Sequence, residues 1–186
     1  MSELKVDILQ EVANSGAFSI NTMDLTHTPM WYGKLGADQT IARATDTTVT
    51  PFTGGSTITE PSTCFDGTTF TVPSSDAVSY AGAYYIFAQI IADFSDVGND
   101  GEAVYLSIRK NGSEIAAKRF GVLDEKHFIH INQHLEVMNA LVAGDEITVS
   151  VYVVDNDASA NAKLVTIGTN FGGFRLKMLL EILVPL

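Results

Sequence analysis

The histidines His127, His130 and His134 fall within one predicted strand and are candidate metal ligands. Side chains alternate along a strand, so His130 and His134 share a face while His127 points to the opposite one. One interpretation is a metal site coordinated by His130 and His134 and repeated around a three-fold axis. Hydrogen-bonded or solvated strand histidines are the favoured interpretation, because no cysteine or carboxylate follows at ligand spacing.

A second group of candidate ligands is carboxylate-rich and lies between two predicted strands, at Asp93, Asp96 and Asp100. Calcium takes several oxygen ligands, and such connections can provide them. The spacing differs from the EF-hand series, and acidic side chains in turns are usually solvated. We therefore expect no cofactor and no metal, with calcium at these three aspartates as the alternative.

Motifs for catalysis are missing from the sequence. It contains no Gly-x-Ser-x-Gly elbow, phosphate-binding loop, dinucleotide fingerprint or His-Glu-x-x-His. Cys64 is the only cysteine, which excludes an intrachain disulfide. It has no basic neighbour that would activate it, which favours a small, partly buried thiol over a nucleophile. The sequence predicts a protein that is not an enzyme.

Composition and charge restrict the class of partner. Hydrophobic residues make up 46% of the 186 residues, enough for a core without disulfides or metal. The net charge of −11 argues against nucleic acid, which needs clustered Lys and Arg. Apolar stretches are too short to span a bilayer, and charges near the N-terminus disagree with a signal peptide. We expect a chain made in the cytoplasm, without membrane insertion.

The elements that must position these residues are strands separated by Gly, Asn and Asp clusters. Asn111-Gly112 between two alternating runs predicts a type I′ hairpin turn. Short, evenly spaced strands without a long helix indicate an all-β sandwich or barrel. The predicted strands are Gln39–Ala44, Thr47–Phe52, Thr68–Pro73, Ala83–Phe94, Ala103–Lys110, Glu114–Phe120, His127–Val137, Glu146–Asp155 and Phe174–Leu183.

Residues 1–36 differ from the rest and are interpreted as an N-terminal arm, with the folded head at 37–186. Leu4, Ile8 and Leu9 lie on one face of a short predicted helix, although Lys5–Ile8 also alternates as an edge strand does. Met30, Trp31 and Tyr32 could anchor the arm in a partner's groove. The alternative is that they fold back onto their own sandwich.

Four motifs follow one another in a fixed order. They are Phe65-Asp66-Gly67 with Phe70-Thr71-Val72-Pro73 and Gly82-Ala83-Tyr84-Tyr85-Ile86-Phe87; Val104-Tyr105-Leu106 with Asn111-Gly112; Leu141 with Gly144-Asp145 and Ile147-Thr148-Val149; and Phe171-Gly172-Gly173-Phe174. As an ordered set over residues 39–180, they resemble the complement C1q/tumour-necrosis-factor-like domain family.

The resemblance implies a ten-stranded jelly-roll β-sandwich that assembles as a homotrimer. It also implies that a set of aromatic residues fills the sandwich core or the subunit interface. These residues are Phe70, Tyr84, Tyr85, Phe87, Phe171 and Phe174.

An acidic, disulfide-free trimer with a short arm fits a structural protein of a virus particle. We expect a bacteriophage capsid decoration, head fibre or tail-fibre knob, assembled in the host cytoplasm. Residues 1–36 would bind other virion proteins, and the head would stabilise the particle or bind a host surface receptor. The alternative is a ligand-binding module of a cellular organism that recognises carbohydrate or protein.

Overall fold

The computed structural model describes residues 28–61, 63–75, 79–93, 103–121, 130–154 and 162–176. Within these ranges the regular elements are β-strands, paired antiparallel in two sheets. This confirms the all-β expectation for the described part of the chain.

The described residues form twelve strands, four of which have three residues or fewer. The strands are β1 (Met30–Lys34), β2 (Gln39–Ile41), β3 (Thr47–Thr48), β4 (Gly54–Glu60), β5 (Phe70–Thr71), β6 (Gly82–Asp93), β7 (Ala103–Lys110), β8 (Ser113–Gly121), β9 (His130–Leu141), β10 (Glu146–Val154), β11 (Ala162–Leu164) and β12 (Asn170–Arg175).

The larger sheet has seven strands, with β4, β1, β12, β6 and β9 side by side. Strands β6 and β9 pair along their full length, from Gly82 opposite Leu141 to Asp93 opposite His130. Strand β11 continues beyond β12 along β6, and β2 pairs with β11. In the five-stranded sheet, β3 and β5 pair with β10, which pairs with β7, and β7 with β8.

The two sheets share one hydrophobic core, as in a β-sandwich. Alternate residues of β6 are buried, and the residues between them are partly exposed. The opposite wall alternates in the same way, with Val149, Val151 and Val153 of β10 buried. This period of two is the pattern that makes these strands recognisable in the sequence.

The predicted boundary of the arm at residue 36 is wrong, because Met30–Lys34 forms an interior strand of the larger sheet. Strand β1 pairs with β12 on one side and with β4 on the other. Trp31 is buried and its indole stacks on Phe70, with 3.6 Å between ring centroids. Gly173 lies opposite Trp31, and a Cβ there would come 2.5 Å from Trp31 Cη2. The glycine therefore makes the space that the indole fills.

The hairpin prediction at Asn111-Gly112 is confirmed. Both residues have positive φ, 51° and 78°, as a type I′ turn requires. Other local predictions differ from the structure. The sequence predicts a turn at Thr53-Gly54-Gly55, but β4 begins at Gly54, and the closing strand starts at Asn170 rather than Phe174.

Candidate functional site

The six aromatic residues singled out in the sequence divide into two groups in the structure. Phe70, Tyr84 and Phe171 are fully buried between the sheets. Tyr85, Phe87 and Phe174 lie on the outer face of the larger sheet, because each follows or precedes an inward-facing neighbour. The sequence leaves core and interface as joint alternatives, and the register of β6 and β12 separates them.

The inward group surrounds Trp31 and has a structural role. Phe171 meets the indole edge-on at 5.6 Å, and Tyr84 packs against both Trp31 and Phe70. The Tyr84 hydroxyl donates a 2.7 Å hydrogen bond to the carbonyl oxygen of Tyr80. Burial raises the pKa of Tyr84 above its ordinary value, so the phenol stays neutral. Trp31 therefore belongs to the core, which agrees with the alternative that it folds back onto its own sandwich and not with a role as an attachment anchor.

The outward group is part of a continuous row across four strands. Met30, Phe174, Tyr85 and Met138 lie directly opposite one another on β1, β12, β6 and β9. Met30 is 39% exposed, Phe174 41% and Met138 70%. The rings of Tyr85 and Phe174 are in contact, 5.4 Å between centroids. Four large side chains thus form an apolar band across the middle strands of the sheet.

A second row extends the band by two residues along each strand. Tyr32, Gly172, Phe87 and Glu136 lie opposite one another. A Cβ on Gly172 would lie 2.7 Å from Phe87 Cζ, so the Phe87 ring rests on the glycine and reaches Tyr32, 6.3 Å away. We call the combined set the outer apolar surface: Met30, Tyr32, Tyr85, Phe87, Met138 and Phe174.

Polar side chains border this surface on one side. The Tyr85 hydroxyl donates a hydrogen bond to Glu136, and this bond raises the pKa of Tyr85. The next row along the strands consists of Lys34, Asn170, Gln89 and His134. An apolar centre beside a polar border is the usual anatomy of a protein–protein interface.

The predicted metal ligands are only partly within the described residues. His130 pairs with Asp93 across β9 and β6, and His134 is exposed on the outer face. His127, Asp96 and Asp100 lie outside the described residues, as do Leu4, Ile8 and Leu9 of the arm. Among the residues that are described, no three His, Cys, Asp or Glu side chains converge on one point.

Sequence reasoning identified Gly144-Asp145 as a motif but missed what the carboxylate does. Asp145 accepts hydrogen bonds from the backbone of Val142 (2.7 Å), from Asn111 Nδ2 (2.8 Å) and from Lys110 Nζ (2.8 Å). Burial alone would raise the pKa of Asp145, but the bonds from Lys110, Val142 and Asn111 hold it below its ordinary value. The carboxylate thereby ties the β7–β8 turn to the β9–β10 turn.

The outer face of the smaller sheet carries a second aromatic group that the sequence did not single out. Tyr105 and Tyr152 lie opposite each other on β7 and β10, edge to face at 6.1 Å. The Arg119 guanidinium sits 5.3 Å from the centre of the Tyr105 ring. Beside them the hydroxyls of Ser107 and Ser150 are 2.8 Å apart. Tyr105 and Tyr152 alternate with core residues on β7 and β10, which is the signal that could have found them.

Models of known protein families do not match the chain, and neither does any characterised protein. The family resemblance therefore rests on the four sequence motifs. None of the described residues forms a helix with the length and hydrophobicity needed to cross a membrane.

Proposed function

We propose that this chain is a non-enzymatic structural protein of a virus particle, built on a C1q/tumour-necrosis-factor-like jelly roll and assembled as a homotrimer. The observation that carries the proposal is the outer apolar surface, which spans four adjacent strands. Phage capsid decoration, head fibre and tail-fibre knob are the settings that such a trimer fits.

Strand order supports the jelly-roll part of the proposal. Without β2, β3, β4 and β11, eight strands remain, in the order β1-β12-β6-β9 in one sheet and β5-β10-β7-β8 in the other. Counted along these eight, the first strand pairs with the eighth and the third with the sixth, while the second pairs with the seventh and the fourth with the fifth. This nesting is that of two Greek keys in a jelly roll. Adding β3 and β4 at the sheet edges gives ten strands.

The exposure of the outer apolar surface supports self-association. Phe174 is 41% exposed, so covering it removes on the order of 80 Å² from water, worth about 2 kcal/mol. Met138 is 70% exposed and adds about 1–2 kcal/mol. A contiguous apolar band of this kind marks an interaction site. Closed rotational symmetry lets identical copies cover it mutually, and the family resemblance favours three copies.

The arrangement of the strand ends supports attachment at one end and display at the other. The described chain starts at Thr28 and ends at Leu176, and the Arg175 amide donates a 2.9 Å hydrogen bond to the Pro29 carbonyl. The points where residues 1–27 and 177–186 join the sandwich therefore lie side by side. The strand ends that flank residues 94–102, 122–129 and 155–161 lie at the opposite end of the sandwich.

A pair of truncations tests the proposal. Removing residues 1–27 keeps β1, so we expect a folded trimer that no longer joins virus particles, measured by sedimentation and by co-purification with particles. Removing residues 1–36 also deletes β1 and Trp31, and we expect that variant not to fold. If the variant lacking residues 1–27 still joins virus particles, attachment through the N-terminal segment is refuted. If the full-length chain is monomeric, the trimer is refuted.

The alternative, a ligand-binding module of a cellular organism, is favoured by the aromatic group on the smaller sheet. Tyr105 and Tyr152 offer ring faces to a sugar, and Arg119 offers a cation beside them. Glycan-array binding by the isolated protein that is lost in Tyr105→Ala, without incorporation into particles, would support this alternative over the virion role.

A further inference from the structure

We propose that Asn111 is a latent deamidation site whose side-chain amide is preserved by contacts with Asp145 and Glu146. Asn111-Gly112 is the one Asn-Gly pair in the sequence. Asparagine before glycine is the most labile context for amide loss, because glycine leaves its own backbone nitrogen free to approach the asparagine side chain. The turn is exposed, and a Cβ on Gly112 would meet nothing within 4 Å, so water reaches it freely.

Three hydrogen bonds hold Asn111 against the start of β10. Its Nδ2 donates to Asp145 Oδ1 at 2.8 Å, and its Oδ1 accepts from the Glu146 amide at 2.8 Å. The Asn111 backbone amide donates to the Glu146 carbonyl at 2.9 Å. The oxygen and the nitrogen of the Asn111 side-chain amide are thus both bonded to Asp145 and Glu146, and neither is bonded within the β7–β8 turn.

The reaction requires these bonds to break. The Gly112 backbone nitrogen attacks Asn111 Cγ and loses its proton, and the side-chain nitrogen leaves as ammonia, which closes a succinimide ring. Water then adds to either ring carbonyl and opens the ring to aspartate or isoaspartate. In the folded protein Cγ is fixed by the two bonds of its amide, and both turn residues have positive φ, which commits the backbone to the type I′ turn.

The product would not fit the same position. Aspartate at residue 111 has no amide hydrogen for Asp145 and brings a second carboxylate against the first. Lys110 is the cation on Asp145 in this group. The hydrogen bond between Asn111 and Asp145 protects the Asn111 amide and also requires that amide. Deamidation of Asn111 therefore breaks the bond and separates the β7–β8 turn from the β9–β10 turn.

The test follows amide loss at residue 111 in the full chain by peptide mass spectrometry at mildly alkaline pH. We expect the folded protein to lose the amide at least about tenfold more slowly than the same chain in urea, equivalent to one charge-assisted hydrogen bond. We expect folded Asp145→Asn to lose the Asn111 amide almost as fast as the unfolded chain does in urea. If the substituted side chain keeps its oxygen on the Val142 amide, its NH₂ group faces the NH₂ group of Asn111.

Asp38→Asn is the matched control, since Asp38, like Asp145, accepts a backbone amide, from Thr166, and forms an ion pair with a lysine, Lys163, while Gln39 follows it and no new Asn-Gly pair arises. Circular dichroism checks that each variant is folded, and Asp145→Glu replaces Asp145→Asn if the latter does not fold. Equal rates in the folded and urea-unfolded chains would overturn the proposal. So would a folded Asp145 variant that loses the residue-111 amide at the wild-type rate, or an equal acceleration of that loss in Asp38→Asn.

Discussion

Met138 gives the sharpest test of assembly, because it contributes to the outer apolar surface and little else. Its side chain is 70% exposed on β9, so Met138→Ala removes almost no packing within the sandwich. We therefore expect folding stability to change by no more than about 0.5 kcal/mol. In a trimer that covers this surface, the same substitution removes an interface contact from every subunit.

The size of the effect follows from the exposed fraction. Burying a whole methionine side chain is worth about 1.5–3 kcal/mol, so covering the exposed 70% is worth about 1–2 kcal/mol per subunit. Three subunits lose about 3–6 kcal/mol per trimer. The concentration at half-assembly varies with the square root of the three-body equilibrium constant, so it rises about ten- to a hundredfold.

The assay is sedimentation equilibrium over a wide range of protein concentration, with mass compared to multiples of the 20.0 kDa chain. Ile167→Ala is the matched control, because Ile167 is 83% exposed in the turn between β11 and β12, outside the outer apolar surface. We expect this control to assemble like the wild type. If Met138→Ala and wild type assemble at the same concentration, the outer apolar surface is not the subunit interface.

The remaining predictions concern the fold. Trp31→Ala is expected to lower the free energy of unfolding by about 3–5 kcal/mol, measured by urea titration. Tyr32→Ala, on the outer face of the same strand, is expected to lower it far less. Similar losses in the two variants would contradict the register of β1. Gly173→Ala is expected to cost about 1–3 kcal/mol, because its Cβ would overlap the Trp31 indole, whereas Gly121→Ala meets open space and is nearly neutral. Asp145 has a lowered pKa, so its stabilising contribution is complete above the ordinary value of 3.8 and is lost as pH falls through the folded value. Asp145→Asn should flatten that acid limb of stability against pH, and an unchanged limb would show that the carboxylate contributes nothing.

The long strands were predictable because their pattern is local. Ala103–Lys110 was predicted with the bounds that the structure has, and Ala83–Phe94 differs from β6 by one residue at each end. Buried and partly exposed residues alternate along β6 from Tyr84 to Asp93, and in the sequence of β7 the apolar Val104, Leu106 and Ile108 alternate with other residues. The Asn-Gly pair fixes where β7 ends. Such signals need no knowledge of the partner strand.

Strands β1 and β4 could not be predicted, because what defines them is distant in sequence. Strand β1 has five residues including Gly33, and its partner β12 lies about 140 residues later in the chain. Gly54 was interpreted as part of a turn, yet a Cβ there would lie 2.5 Å from the Leu35 carbonyl oxygen. Gly54 is needed because two chain segments approach each other closely at this position. The sequence alone does not distinguish such a glycine from one in a turn.

The division of the aromatic residues was also beyond the sequence. Tyr84 and Tyr85 are adjacent, so one must face the core and the other must face outward, but a one-residue slip in register exchanges them. The structure places Tyr84 inside, where Tyr80 accepts its hydroxyl hydrogen bond, and Tyr85 outside, beside Phe174. The pair therefore contributes to two different surfaces of the sandwich.

The position of Met30 and Tyr32 changes how attachment must work in the proposed particle protein. Met30 and Tyr32 were predicted either to bind virion partners or to fold back onto their own sandwich, and Phe174 to fill the core or the subunit interface. All three lie on the outer apolar surface. One surface cannot be covered by a subunit and by a particle protein at once. If trimers form through it, the predicted attachment residues that remain lie before Thr28, and we expect truncation of residues 1–27 and Met138→Ala to impair different steps. If Met138→Ala instead prevents particle binding while the wild type is monomeric, the surface is the attachment site itself.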